Sequence, residues 1–544
     1  MKKSSLFGVS MLTIGVLYGI LAALAILVCK LCGGETLVAI IIAIVILFIQ
    51  FLIGPWITDL TMRWFYKVDF KAEMPAYLTA FVSEVCARHK MKMPKIGLID
   101  DGAPNAYTYG RTKNDARIIL TKGTLQLLSE DEVKAVVAHE LGHARHYDML
   151  FMTVAQVVPL VLYGVYELCV QAAESTSKSS DSDSDSSKAA AALAIVGYIA
   201  LAIYALCQLI ILWLSRTREY YADEFSVQET KNPEALSKAL VLIGYGLSTI
   251  GKSATANRNS VTSPTTLGIA DAASSKSMAV CAACASEADT KASIQSAMKW
   301  DMWNVWAKFY EIGSTHPLTS KRLLAIAKLA PQYGQEPYIT FELQKPESYV
   351  DDFFKENLIL VAPWLVVIAA IVCCVLIEAH RWAWLLAGLA LATGVSLWKF
   401  FYMHPGKCNT LRTVRDLLGE VKVSGVTAIP CEAEGEIIGR GNPGCVFNED
   451  FVLKDATGIM LLDYKQPLFV INKIFALFKS PEYFGKIVRV RGWYRRNPTP
   501  YIEIKNMVID GKVKKCHTYQ WGIIIRIIGI VLFAAAAVII GFNL

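Results

Sequence analysis

The stretch AVVAHELGHARHYDML, residues 135–150, places two histidines and a glutamate directly before an apolar run of about twenty residues. Ser129 and Glu132 precede it in a capping-box pattern, which predicts that a helix starts just after Ser129. Residues i and i+4 share one face of a helix, so His139 and His143 can turn their imidazoles toward one point. We therefore predict a helix that carries a polar cluster to the edge of a membrane span.

The rest of the chain has the composition of a multi-pass membrane protein. Hydrophobic residues make up 54% of its 544 residues, against about 45–50% in soluble domains. The first long apolar run is too long for a signal peptide, and we predict a retained anchor. A helix of about 20 residues crosses the hydrocarbon core, and runs of that length predict seven spans, at about 6–28, 37–58, 150–172, 190–214, 357–377, 382–402 and 520–542.

Lysine and arginine predict the orientation of these spans. The loops 29–36, 173–189 and 378–381 carry only four of the 54 basic residues, so the opposite side, with nearly all the others, is predicted to be cytoplasmic. The net charge of +7 is thus mainly a topology signal, and nucleic-acid binding is the weaker interpretation. The 13 cysteines are scattered, and no disulfide framework is expected.

His139, Glu140 and His143 form the pattern H-E-x-x-H. In this pattern two histidines bind Zn²⁺ and the glutamate acts as general base on the attacking water. A five-residue match can arise by chance on a surface helix, but this helix is capped, long and apolar on its other flank. We predict one zinc ion per chain, with Glu140 as a catalytic residue.

A catalytic zinc needs a third protein ligand and one open position. The next two spans form a hairpin that returns the chain to the same face as LWLSRTREYYADEF, residues 212–225. Glu219 emerges there at a depth similar to that of His143 and is the predicted third ligand; the alternative is a surface glutamate paired with a neighbouring arginine. Asp223, one turn further on, is predicted to hold a ligand imidazole. His146 is a weaker candidate ligand, because three ligands on one straight helix splay apart.

Two stretches together resemble the HtpX-type membrane metalloproteases, which are relatives of the CAAX prenyl endopeptidases. They are LTKGTLQLLSEDEVKAVVAHELGHARHYD and SRTREYYADEFSV, and the resemblance covers residues 1 to about 330. In that family H-E-x-x-H is followed, one membrane hairpin later, by E-x-x-x-D. The resemblance implies a membrane zinc endopeptidase and supports Glu219 as ligand. This chain departs from the family's four-span form by three further spans and a C-terminal β unit.

The resemblance also implies roles for residues outside the two motifs. PNAYTYG, residues 104–110, resembles the family's substrate-facing edge strand, which implies substrate binding by Asn105, Ala106 and Tyr107. STHPLTSKRLLAI resembles the segment whose histidine faces the catalytic centre, which implies that His316 stabilises the oxyanion of the reaction. The alternative for His316 is a structural place in a helix-capping sequence.

The C-terminal region alternates apolar and polar residues between turn residues, which predicts a small antiparallel β domain. It resembles the OB-like domains appended to some prokaryotic members of the family. Arg495 and Arg496, in GWYRRNPTPYIEI, are candidates for contact with anionic lipid headgroups or, less favoured, with nucleic acid. Docking of a substrate or partner, or a purely structural role, is the favoured alternative.

The predicted fold class is a mainly α-helical polytopic membrane protein with a cytoplasmic α+β zincin-like catalytic domain and a small antiparallel β (OB-like) domain. Two low-complexity segments, 179–187 and about 251–295, are predicted to be flexible loops. The predicted domains are an N-terminal transmembrane hairpin at 1–60, the metalloprotease domain at 61–356, a transmembrane hairpin at 357–402, the OB-like domain at 407–515 and a last span at 520–542.

These inferences predict an endopeptidase of the prokaryotic cell membrane whose active site faces the cytoplasm. Its substrates would be membrane proteins, and the resemblance implies a role in their quality control. Two alternatives stay open: a processing protease for one defined peptide, such as a prenylated or signal-bearing one, and a non-proteolytic membrane scaffold. The sequence leaves the oligomeric state open.

Overall fold

The computed structural model describes the chain from residue 3 to residue 542, with gaps at 33–51, 54, 103, 179–183, 250–286, 342–346, 378–379, 441–449, 469–471, 474, 476–478 and 498. Most of the second predicted span and of the two predicted flexible loops lie outside the described residues. The chain divides into two compact units, described separately below. The first includes Met1–Leu240 and Glu311–Tyr338, and the second includes Ile339–Leu544 and the described residues 287–310.

The described residues are mainly helical. The helices are α1 (Lys3–Cys32), α2 (Ala76–Arg88), α3 (Lys122–Leu127), α4 (Glu130–Arg145), α5 (Asp148–Lys178), α6 (Ser184–Thr230), α7 (Pro233–Thr249), α8 (Glu287–Trp303), α9 (Val305–Ile312), α10 (Thr319–Ala327), α11 (Val350–Leu376), α12 (Arg381–Met403), α13 (Val414–Gly419) and α14 (Thr518–Phe542). The strands are β1 (Lys95–Ile99), β2 (Ala106–Gly110), β3 (Ala116–Thr121), β4 (Ile429–Arg440), β5 (Phe451–Lys454), β6 (Ile459–Asp463), β7 (Ile487–Asn497), β8 (Thr499–Ile509) and β9 (Lys512–Lys515).

Five described helices are long and apolar enough to cross a membrane, and they match the third to seventh predicted spans. They lie in α5, α6, α11, α12 and α14, at Asp148–Ser177, Ser186–Thr230, Val350–Leu376, Arg381–Met403 and Thr518–Gly541. The first predicted span falls in α1, where a shorter apolar stretch runs from Gly8 to Leu21. α1 packs on the α5–α6 hairpin through a buried cluster that includes Leu17, Val158 and Ile211.

A three-stranded sheet lies beside the histidine-bearing helix in the first unit. Its strand order is β1-β3-β2, with β1 parallel and β2 antiparallel to β3. Every residue of β3 is buried, as expected for the central strand. β2 is therefore an edge strand among the described residues, and it contacts α4 through the hydroxyl of Thr108, which donates to the Glu140 carbonyl at 3.2 Å.

The second unit contains the predicted C-terminal β region, which is confirmed. Its strand order is β6-β5-β4-β7-β8-β9, and an additional parallel pairing joins β6 to β8. That pairing closes β4, β5, β6, β8 and β7 into a ring of five strands. Phe451 and Trp493 are each at most 1% exposed, and Trp493 packs against Cys408, Ala428 and Tyr519, which lie outside these five strands.

Arg495 and Arg496 are not surface residues, so the predicted contacts of these two side chains with lipid headgroups or nucleic acid are wrong. They are 2% and 0% exposed. Arg495 Nε donates to Glu503 at 2.8 Å, and Arg496 Nη2 donates to Asp301 at 2.9 Å. A buried arginine that is paired in this way is held by its carboxylate partner and is not available to a ligand. Of the alternatives that the sequence left open, a structural role is the one that fits Arg495 and Arg496.

Candidate metal centre

The histidine-bearing helix α4 begins where the capping pattern predicts. The Ser129 main-chain N–H donates to Glu132 Oε2 at 2.8 Å, which is half of the reciprocal capping box. Acidic residues fill the first turn, where the helix dipole favours negative charge. The helix ends at Arg145, and His146 and Tyr147 link it to α5. Tyr147 takes a positive φ of 60°, which bends the chain sharply between the two helices.

Helix α6 continues without a break from the membrane hairpin to Thr230 and packs closely against α4. Gly142 permits this approach, because a Cβ at that position would lie 3.1 Å from Ala222 Cα and 3.3 Å from Phe225 Cβ. The Ser226 hydroxyl also donates to the Ala135 carbonyl at 2.6 Å. The glycine of HELGH, Gly142, thus lets the helix of the fourth span bring its carboxylates to the two histidines.

His139, His143 and Glu219 converge as the sequence predicts. The two histidine Nε2 atoms are 3.1 Å apart, and each lies 3.5 Å from an oxygen of Glu219. A tetrahedral zinc with ligands at about 2.0–2.1 Å separates those ligands from one another by roughly 3.3 Å. The three donor atoms are thus spaced to surround one such ion, and all lie within 4.8 Å of one another.

The chemistry of the three donor atoms also fits a cation. His139 is fully buried, Glu219 is 4% exposed, and Glu219 Oε2 makes no hydrogen bond. When each Nδ1 carries its proton, both Nε2 atoms are acceptors facing a carboxylate, an arrangement that a positive ion between them stabilises. The set of two nitrogens and one oxygen matches a catalytic zinc site that keeps one position open.

Two carboxylates orient the histidines by contacting their Nδ1 atoms, on the side of each ring away from the shared point. Asp223 Oδ1 lies 2.9 Å from His139 Nδ1, the place predicted for it. Asp148 Oδ2 lies 2.7 Å from His143 Nδ1, a contact that the sequence analysis missed. Both leave Nε2 directed at the shared point. The only indication of this contact in the sequence was that Asp148 begins α5, directly after the two-residue turn that follows α4.

The electrostatics of His139 show how strongly this site attracts positive charge. Burial lowers the pKa of His139, but the neighbouring carboxylates of Asp223 and Glu219 outweigh it and raise the pKa to about 9 without a bound metal ion. A metal must displace that proton, so its uptake at neutral pH should release protons.

His316 and Glu140 lie at the same centre. His316 is 8% exposed, and its Nδ1 lies 3.2 Å from Glu219 Oε1. Glu140 is 2% exposed, between the two histidines on α4. The structure therefore places His316 against a proposed ligand and Glu140 buried on the helix that carries both histidines, and the catalytic roles of the two residues stay predictions.

The three predicted substrate-binding residues differ in which of their groups could contact a substrate. The Asn105 carbonyl accepts from Thr121 N–H at 3.1 Å, which sets the register of β2 on β3. In that register Tyr107 faces β3 with its main chain, and its ring, 1% exposed, lies in the core. The main-chain groups of Ala106 and Thr108 turn toward the open edge. Ala106 is fully buried and its N–H is bonded to Asn105 Oδ1 at 2.9 Å, so of these two residues the half-buried Thr108 is the one whose main-chain groups are available at the edge.

The comparisons with known proteins agree with this centre. The model of peptidase family M48 matches residues 73–330, which include all the proposed ligands. The protease HtpX homolog of Methanothermobacter thermautotrophicus is 37% identical over 235 residues, 43% of this chain and 84% of that protein. The homolog of Thermoplasma acidophilum is 29% identical over 270 residues, 48% of this chain and 80% of that protein.

Among solved structures, the crystal structure of S. mikatae Ste24p aligns with 60% of this chain and 67% of that chain. The TM-score is 0.35 at 16% identity, too low to establish a shared fold. The extent and identity of the sequence matches decide the family by themselves. The chain belongs to the HtpX-like membrane zinc metalloproteases of peptidase family M48.

Proposed function

We propose that this protein is an endopeptidase that cuts extended segments of membrane proteins close to the cytoplasmic face of the membrane. The observation that carries the proposal is the convergence of His139, His143 and Glu219 at one end of the α5–α6 hairpin. The two histidine Nε2 atoms are 3.1 Å apart, and each lies 3.5 Å from a different oxygen of Glu219. His143 is separated from the start of α5 by only four residues, so the site lies next to the bilayer.

The residues of the centre have distinct tasks in peptide hydrolysis. Zinc, when bound by the three ligands, polarises the scissile carbonyl and lowers the pKa of the attacking water. Glu140 takes the proton of that water and passes it to the leaving amine. His316, which faces Glu219, donates to the oxygen of the scissile carbonyl as negative charge develops there.

The edge strand β2 supports an extended substrate. The N–H and carbonyl of the half-buried Thr108 can pair with the main chain of a peptide added as a further strand. The Thr108 hydroxyl bonds to the Glu140 carbonyl, so a peptide on this edge lies beside the general base. Main-chain pairing is largely independent of side chains, which favours a broad substrate range over one defined processing site.

Location and domain structure complete the proposal. The distribution of lysine and arginine supports a cytoplasmic active site, and the archaeal relatives support a prokaryotic membrane. We assign residues 61–356 to a zincin-like catalytic domain and 407–515 to an OB-like domain, because the five-strand ring has the form of such a barrel. Degradation of misassembled membrane proteins is the physiological role that fits a broad, membrane-adjacent peptidase.

The test uses the purified full-length protein in lipid nanodiscs with several unrelated membrane-protein substrates. We expect wild type to hold one zinc per chain and to cut each substrate at several sites in its loops. Glu140→Ala should keep its zinc and lose at least about 100-fold in rate, the contribution of a general base. Cleavage of one substrate at one site would indicate a processing protease. Zinc-loaded wild type that cuts no substrate would indicate a scaffold.

A further inference from the structure

A buried arginine stands behind each aspartate that orients a metal-binding histidine. On one side, Arg322 donates to both oxygens of Asp223, from Nη2 at 2.6 Å and from Nε at 2.8 Å, while Asp223 contacts His139 Nδ1. Arg322 is 1% exposed and comes from α10, which begins three residues after His316. This row of three side chains therefore joins α10 to α4 through α6.

The second row has the same order of groups but comes from other helices. Arg218 Nη2 donates to Asp148 Oδ1, while Asp148 Oδ2 contacts His143 Nδ1. Arg218 is 2% exposed. Its Nη1 donates to Ser10 Oγ in α1 at 2.7 Å, and its Nη2 also contacts the His146 carbonyl at 3.1 Å. This row joins α6 to α5, to the turn after α4 and to the first helix of the chain.

The geometry of these contacts gives the arginines a task beyond charge balance. A guanidinium is a rigid fork of donors, and a carboxylate that accepts two of its bonds, as Asp223 does from Arg322, is fixed in rotation as well as in place. Asp148 accepts one bond from Arg218, and Arg218 is itself held in place by Ser10 and the His146 carbonyl. The free carboxylate lone pairs then set the direction of the histidine Nδ1–H, and with it the orientation of the ring. Two rings fixed in this way place their Nε2 atoms 3.1 Å apart, the spacing that a tetrahedral ion requires.

We propose that Arg218 and Arg322 are positioning residues that set the metal geometry by fixing Asp148 and Asp223, and so the rings of His143 and His139. The inference rests on the zinc centre proposed above. It adds two residues that the H-E-x-x-H and E-x-x-x-D motifs do not assign. It also makes Ser10 of α1 an outer support of the metal centre.

The test measures metal binding, so no substrate is needed. Zinc affinity is determined by chelator competition on the full-length protein, and ligand geometry is read from the visible absorption of the Co²⁺-substituted protein. The variants are Arg218→Lys and Arg322→Lys, which keep the charge and lose the fork, together with Asp148→Asn and Asp223→Asn. We expect each to lower zinc affinity about 10- to 100-fold, as loss of a ligand's orienting partner does, and each to alter the Co²⁺ spectrum.

Double variants test whether each arginine acts through its aspartate. Combining Arg218→Lys with Asp148→Asn should weaken zinc binding no more than the stronger single change, because one pathway is already broken. Arg322 Nη1 also lies 3.2 Å from Glu219 Oε2, so Arg322→Lys with Asp223→Asn should weaken zinc binding more than either single change but less than their sum. Full additivity in both pairs would overturn the proposal. If Arg218→Lys does not fold, Ser10→Ala removes one hydrogen bond from Arg218 and keeps every charge. It should cost about 2- to 10-fold in zinc affinity, the worth of one such bond, and an unchanged affinity would contradict the role of Arg218.

Arg117 offers a matched control in the same unit. It is 3% exposed and is paired with Asp59 at 3.0 Å and Asp115 at 2.5 Å, neither of which contacts a proposed ligand among the described residues. Arg117→Lys should leave zinc affinity and the Co²⁺ spectrum unchanged. The proposal would be overturned if Arg117→Lys lowered zinc affinity as much as the two test variants do. It would also be overturned if Arg218→Lys and Arg322→Lys both kept the zinc affinity and the Co²⁺ spectrum of wild type. Wild type that binds no zinc would instead overturn the metal centre itself.

Discussion

The metal centre and the β region both bury charged side chains, but they arrange them differently. Around the metal centre, His139, His143 and Glu219 direct three acceptor atoms at one point, and one Glu219 oxygen has no hydrogen bond. In the β region, Arg496 donates to Asp301 and its guanidinium lies 4.6 Å from the centre of the Trp300 ring. Buried charge by itself therefore does not mark a functional site in this protein. What marks the metal centre is that acceptor atoms of His139, His143 and Glu219 converge on one point.

The largest expected effect comes from removing an acceptor at the metal centre. Glu219→Ala takes away an inner ligand, which matters at least as much as orienting partners worth about 10- to 100-fold in metal affinity. We expect loss of zinc and of peptidase activity with the fold retained, as measured by metal analysis and thermal unfolding. Full zinc content and activity in this variant would remove Glu219 from the metal centre and with it the contrast between the two regions.

The same kind of change in the β region should affect stability instead. Arg496→Gln leaves Asp301 buried without its ion-pair partner, which costs about 3–5 kcal/mol in comparable proteins. We expect a lower unfolding temperature with zinc content unchanged. If zinc were lost in step with stability, the two regions would not be independent.

The stability of the β region should also depend on pH in the acid range, with a smaller effect than that of the Arg496 substitution. Burial raises the pKa of Glu503, but hydrogen bonding to His404 and the charge of Arg495 outweigh it and lower the pKa to about 2. The stabilisation is therefore present above the ordinary glutamate pKa of about 4.3 and is lost as pH falls from there through about 2. Glu503 is about a third exposed, so we expect only about 1–2 kcal/mol. The Glu503→Gln variant should be less stable than wild type at pH 7, and its stability should change less between pH values of about 4.3 and 2. Thermal unfolding measured across this pH range tests both expectations. The same pH dependence in the variant and in wild type would contradict the prediction.

The smallest effect is expected where both partners of a buried ion pair are replaced. Arg496→Met with Asp301→Leu should change stability little, because well-packed apolar residues often replace a buried ion pair at no cost. The matching change at the metal centre, Arg322→Met with Asp223→Leu, should leave the protein folded but weaken zinc binding. Unfolding temperature and zinc affinity measured on both double variants separate structural from functional charge. Equal zinc loss in both would contradict the distinction.

The convergence of the three proposed metal ligands could be predicted from the sequence because their positions follow from short-range geometry. His139 and His143 share a helix face, and the membrane hairpin returns the chain at the level of Glu219. Asp148 and Arg322 could not be predicted in the same way. The first depends on the tight turn at Tyr147, and the second on how α10 packs against α6, neither of which has a periodic signal.

The β region shows where pattern alone fails. Its predicted strands are present, but the pattern left surface contacts open for Arg495 and Arg496, which the structure shows to be buried. β7 alternates exposed and buried residues only as far as Arg491, where an irregularity in the pairing with β8 begins. Beyond it, five consecutive residues are buried, from Gly492 to Arg496. Alternation predicts one exposed face per strand, and a closed ring with further packing on its outside removes that face.

The open edge of β2 has a kinetic consequence for substrates. A peptide can use this edge only when its own N–H and carbonyl groups are free, whereas a correctly inserted helix has bonded all of them internally. We therefore expect the rate at which a given segment is cut to depend on how often its helical structure opens, rather than on its amino-acid sequence. A series of substrates with one cleavage sequence and graded helix stability would show this as a graded rate, and equal rates across the series would refute it. Folding state would then act as the selective filter, with no dedicated recognition domain required.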